Sequence, residues 1–98
     1  MPFGIRTILY QSNSMLNICD SDLLGRTVSE SNFTMNISEK YYAERIVGKS
    51  EAEDLLKNSS VINMVGKEII SLSIGLGIGS LNGVKKVDGV PFLIVYKF

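Results

Sequence analysis

The chain predicts an α+β fold, a mainly antiparallel sheet of about five strands with two central helices packed on one face. Two observations carry this. Strand-like runs at both ends flank a helical middle, and an Asp88-Gly89 pair between β-rich runs is a strong hairpin signal. With 98 residues, the expectation is a single domain spanning 1-98.

The first strand is expected over Ile5–Tyr10, where β-rich residues run into the polar cluster Gln11-Ser12-Asn13-Ser14, suited to a turn. Met15–Cys19 reads as the returning strand, followed by Asp20-Ser21-Asp22 and a short turn at Leu23-Leu24-Gly25. Phe33, Met35 and Ile37 alternate with Thr34, Asn36 and Ser38, the period-two signature of a half-buried strand.

Ser50-Glu51-Ala52-Glu53 has the form of a capping box, a serine oxygen for an orphan amide and a glutamate three residues on. The helix it opens should end near Asn58-Ser59. A second helix is expected from Ser59 or Ser60, because Val61, Val65, Ile69 and Leu72 recur at helical spacing. Gly66 would then lie inside it, at a cost of about 1 kcal/mol against alanine. Gly75, Gly77 and Gly79 end the helix, so this glycine run lacks the strand-to-helix context of a nucleotide loop. In the last strand, Val90–Lys97, both faces are apolar, and Pro91 sits near the start, where a missing amide is tolerated.

Composition narrows function mostly by exclusion. An apolar content of 45% and a charged content of 20% suit a globular chain. Ten basic and ten acidic residues give zero net charge, so there is no overall basic excess of the kind phosphate-driven binding favours. No histidine is present, which removes histidine-based triads and the usual zinc and haem ligands. The lone cysteine, Cys19, reads as a buried small hydrophobe; Asp20 beside it would raise the thiol pKa.

The N-terminus lacks a signal-peptide pattern, and the longest uncharged run, Ile69 to Val84, falls short of the ~20 residues that span a bilayer. A cytoplasmic protein with no membrane partner is expected. No cofactor and no catalytic residue can be named.

Tyr41, Tyr42, Arg45, Lys85 and Lys86 are the candidate binding residues. Aromatic rings with basic side chains suit single-stranded RNA. The plainer reading is a core tyrosine and lysines that blunt a sheet edge. Asp20 and Asp22 form the only close acidic pair in a turn. They could hold a magnesium ion with substrate phosphates, or simply stabilise the turn, the commoner use of such residues.

Four stretches together resemble the archaeal family known as domain of unknown function 424. They are Cys19-Asp20-Ser21-Asp22-Leu23-Leu24-Gly25, Ile37-Ser38-Glu39-Lys40-Tyr41-Tyr42, Asn63-Met64-Val65-Gly66-Lys67 and Val87-Asp88-Gly89-Val90-Pro91. The resemblance marks Cys19, Asp20, Gly25, Glu39, Asn63, Gly66 and Gly89 as family-pattern positions. It implies a short stand-alone α+β protein without assigned biochemistry, and a link to RNA or translation is the expectation it carries. Two departures stand out: Phe92-Leu93-Ile94 where the family often has histidine and glutamine, and Ala43 where a glycine is expected.

The function expected is a non-catalytic binding module acting with RNA or ribosome-associated components. The alternative is a protein-interaction or homo-oligomerisation domain using an exposed sheet edge or the Phe92–Val95 strand. A small metal-dependent enzyme built on Asp20, Asp22 and Glu39 ranks last.

Overall fold

The computed structural model describes residues 1–97. Eight strands and three α-helices follow one another as β1 (Phe3–Tyr10), β2 (Asn13–Asp20), β3 (Thr27–Glu30), β4 (Phe33–Asn36), α1 (Glu39–Tyr42), β5 (Arg45–Val47), α2 (Lys49–Asn58), β6 (Val61–Val65), α3 (Lys67–Gly75), β7 (Lys85–Val87) and β8 (Val90–Tyr96). Six strands form one sheet in the order β5-β1-β2-β6-β8-β7, and β3 pairs with β4 as a separate two-stranded ribbon. The α+β class holds, with six strands rather than five and three α-helices rather than two.

The predicted hairpins form. β1 and β2 are joined across Gln11-Ser12, both at positive φ, and β7 and β8 across Asp88-Gly89, also both at positive φ. This primed-turn geometry matches the twist of antiparallel strands.

Val61–Val65, expected in a helix, is instead the strand β6. It lies parallel to β2 and antiparallel to β8, near the centre of the sheet. Four of its five residues are buried, and a short apolar run buried on both faces carries no alternation to betray it. Gly66 therefore stands at a strand-to-helix turn with φ 118°, not inside a helix. The capping box is also not used: Gly48 is the N-cap of α2 and Ser50 lies within its first turn. The expected strand at Phe33–Ser38 is β4, which pairs with β3 outside the main sheet.

The two faces of the main sheet are covered differently. On one face Phe3, Ile5, Leu16, Ile18, Ile62, Met64 and Leu93 pack beneath Ala52 and Leu56 of α2 and Ile69 and Ile70 of α3. On the other, Cys19, Val65 and Phe92 pack beneath Tyr42 of α1, Val28 and Met35 of the β3–β4 ribbon, and Leu23 and Ile37. This second cover reaches only the C-terminal ends of β2 and β6.

Candidate functional site: the uncovered half of the sheet

Strand register fixes what the second face presents beyond its cover. Residues opposite one another share a face, and the face repeats every second residue. Arg6 lies opposite Asn17, Asn17 opposite Asn63, and Asn63 opposite Ile94, so these four form one lateral row. The next row outward is Ile8, Met15, Val61 and Tyr96. The row on the other side, Gly4, Cys19, Val65 and Phe92, is the one beneath α1 and the ribbon.

The polar row is built rather than incidental. The Asn63 amide nitrogen donates to Asn17 Oδ1 at 3.1 Å, and the Asn17 amide nitrogen donates to the Tyr41 carbonyl at 3.1 Å. The chain of bonds ties β6 to β2 and β2 to α1. Among the described residues, no protein donor reaches Asn63 Oδ1. The Ser38 hydroxyl caps α1 by accepting from the Tyr41 amide, which fixes the helix beside Asn17. Tyr41 is 57% exposed, and Ile94 and Tyr96 are 54% and 65% exposed. The surface thus offers aromatic rings at its rim, an asparagine pair at its centre and the Arg6 guanidinium at one end.

The five candidate binding residues do not come together. Tyr42 is 7% exposed and belongs to the core, where burial pushes its hydroxyl up to about 12, so it cannot stack on a ligand. Arg45 lies on β5 at one edge of the sheet, ion-paired with Glu51 of α2. Lys85 and Lys86 lie on β7 at the opposite edge. Tyr41 borders the open face from above β2, and Lys85, opposite Phe92 and lining a shallow cavity with Phe92 and Ile94, borders it from the β7 edge. Sequence reasoning missed Arg6 and Asn17, and the parity of β2 and β6 becomes informative only once their register is known.

The family-pattern positions acquire physical roles. Asp20, 5% exposed, accepts from the amides of Glu68 at 3.0 Å and Ile69 at 2.9 Å, capping α3 from another strand. Burial raises its carboxyl above the usual range, and the two amide bonds act in the opposite direction. A Cβ on Gly66 would stand 2.4 Å from the Asp20 carboxylate, so glycine is required there twice over, by contact and by φ. Cys19 is fully buried, and burial pushes its thiol up to about 12. Gly25 has φ 89° and its amide donates to the Ile37 carbonyl at 2.8 Å, fastening the loop that carries the ribbon. Gly89 completes the β7–β8 turn, and Glu39 opens α1, where its carbonyl receives the Ala43 amide at 2.7 Å.

The Asp20–Asp22 pair is a poor metal holder, because both Asp20 oxygens are engaged by α3. Among the described residues, no group of three or more acidic or cysteine side chains is placed to hold a metal ion. No helix among them is long and apolar enough to cross a membrane.

The sequence pattern of the family described as "Protein of unknown function (DUF424)" matches residues 9–98. The chain belongs to this family. An uncharacterized conserved protein from Methanopyrus kandleri, known from a crystal structure, has the same fold: the TM-score is 0.84 at 20% identity, over 100% of this chain and 93% of that one. No curated protein matches.

Proposed function

We propose that this DUF424 chain is a non-catalytic binding module that holds single-stranded RNA on the uncovered half of its sheet. The observation that supports this is the row Arg6–Asn17–Asn63–Ile94 with Tyr41 at its rim. Splayed bases stack on exposed aromatic rings, and their edges hydrogen-bond to amide side chains. Base–aromatic stacking contributes about 1–3 kcal/mol per base and does not need a highly charged protein, which fits a chain of zero net charge.

An apolar protein partner suits the face less well. It would cover the Asn63 carbonyl oxygen and the Arg6 guanidinium without pairing them, at about 1–3 kcal/mol for each stranded group. The sheet edges are also poor docking strands. β5 and β7 each have three residues and carry Arg45 or Lys85 and Lys86, charges that discourage edge pairing. Exposed apolar side chains such as Ile46 on β5 and Leu9 on β1 favour an oligomer, and light scattering of the purified protein tests it.

Fluorescence anisotropy with short single-stranded RNAs tests the main reading. Binding should weaken about tenfold in Tyr41→Ala, in line with the loss of one stacked base, and also in Asn63→Ala. Failure to bind any RNA at low salt, or variants that bind like the wild type, would refute it.

A further inference from the structure

We propose that a second site, at the C-terminal ends of the parallel strands β2 and β6, binds a phosphate group. A cavity of about 310 Å³ opens there, lined by Asp22, Arg26, Lys67 and Lys86 over a floor that includes Gly66 and Gly89. Its three cations come from three separate segments: the loop before β3, the first residue of α3, and the edge strand β7. Among the described residues, none of the three has a carboxylate within 4 Å, although Asp22 lines the same cavity. Three unpaired cations around one concavity repel one another, and an anion between them removes that cost.

The acidic residues near the cavity do not cancel this. Asp20 lies at its base, but both its oxygens accept amides of α3. That arrangement engages the amides of Glu68 and Ile69; among the described residues no protein acceptor takes the amide of Lys67, which lines the cavity. Asp22 is exposed and is the one carboxylate free to oppose an anion. Glu68 lines the two adjoining cavities, which share Lys67 with this one, and not the cavity itself. The small residues Gly66 and Gly89 keep side chains out of the floor, and charge-assisted contacts from arginine and lysine are the usual means of holding phosphate. The site stands apart from the uncovered sheet face and does not depend on that reading.

The phosphate could belong to an RNA strand or to a small phosphorylated molecule, and one experiment separates the two. Backbone amide spectra of the full chain are recorded with inorganic phosphate, with 5′-AMP, and with octauridylate bearing either a 5′-phosphate or a 5′-hydroxyl, at fixed ionic strength. Saturable displacements of the Gly66, Lys67 and Gly89 amides are expected with inorganic phosphate, 5′-AMP and the 5′-phosphorylated strand, and weaker ones with the 5′-hydroxyl strand, which carries only internal phosphodiesters. Lys67→Gln and Lys86→Gln should each weaken them about tenfold, the contribution of one charge-assisted bond. Asp22→Asn should strengthen them. A 5′-phosphorylated strand that binds well above 5′-AMP assigns the site to strand ends, and equal binding assigns it to small phosphates. Absence of saturable change at these three amides, or variants that bind as the wild type, overturns the proposal. Tyr41→Ala leaves these displacements intact, so loss of RNA binding on the sheet face is read independently.

Discussion

The two faces of the main sheet are made by the same strands and obey the same alternation, yet one is a core and the other is half bare. Along β2, Leu16 and Ile18 point beneath α2 and α3 and are fully buried, while Asn17 between them points to the open face. Along β6, Ile62 and Met64 do the same, and Asn63 lies between them. On the open side the strands are apolar beneath the cover, at Cys19 and Val65, turn polar in the next row at Asn17 and Asn63, and are apolar again at Met15 and Val61. The extent of the lid is therefore encoded in single residues, and the asparagines mark where it stops.

The sharpest way to test that contrast is to truncate neighbours on the two faces. Ile18→Ala should cost about 3–4 kcal/mol, because α2 and α3 cannot collapse into the space left behind. Asn17→Ala, one residue away, should cost only about 1 kcal/mol, the net contribution of its hydrogen bonds. Equal losses in urea melts would mean that the open face is closed by something in solution.

Next in size is the pin that holds α3 to the core face. Gly66→Ala meets the Asp20 carboxylate and forces alanine to φ 118°, and should cost about 3 kcal/mol. Asp20→Ala should cost about 2 kcal/mol by stranding two amides. Made together, the losses should sum to less than the singles, since each removes the other's contact. Asp20 also links stability to pH. Its carboxyl is raised in the folded state, so the fold holds that proton more tightly than the unfolded chain does. Its contribution is full below the ordinary carboxylate range and is lost as pH rises through the raised value. Urea melts should therefore show wild type losing stability relative to Asp20→Asn as pH rises above the ordinary carboxylate range, and the opposite trend would mean that the two amide bonds outweigh burial.

Much of this was legible in the sequence. Both hairpins, the end of α2 and the glycine stop after α3 follow from local chemistry that acts wherever those residues stand. What was not legible depended on distant partners. Val61 and Val65 fall by coincidence into the helical phase of Ile69 and Leu72, and only pairing with β2 and β8 makes Val61–Val65 a strand. With β6 read as helix, Asn63 had no row to belong to and Gly66 no turn to make. The ribbon strand β3 gave little signal because Val28 is its one buried residue. The separation of the tyrosines, Arg45 and the lysines was hidden for the same reason: strand order decides which edge each cation occupies.

Cys19 probes the covered part of the second face without altering it. Its thiol, pushed up to about 12 and fully buried, should not react with a thiol reagent in the native protein at pH 8, and should react at once in urea. Measured against urea concentration, its reactivity reports whether the α1–ribbon lid opens before the α2–α3 face melts. A lid that opens first would make the line between covered and uncovered halves adjustable by a ligand.

The smallest effect is expected at Arg45, the residue whose placement departs furthest from a binding role. It pairs with Glu51 on the core side of the sheet, and both side chains are about half exposed. Such pairs gain little in water, so Arg45→Ala should change stability by about 0–1 kcal/mol and fade further with salt. It should leave RNA affinity unchanged, whereas Arg6→Ala, at the end of the asparagine row, should weaken it with no greater loss of stability. Two arginines on neighbouring strands, one facing each side, make the cleanest pair for this test. If Arg45 proved the more important for RNA, the binding surface would lie on the helix side, and the bare face would need another explanation.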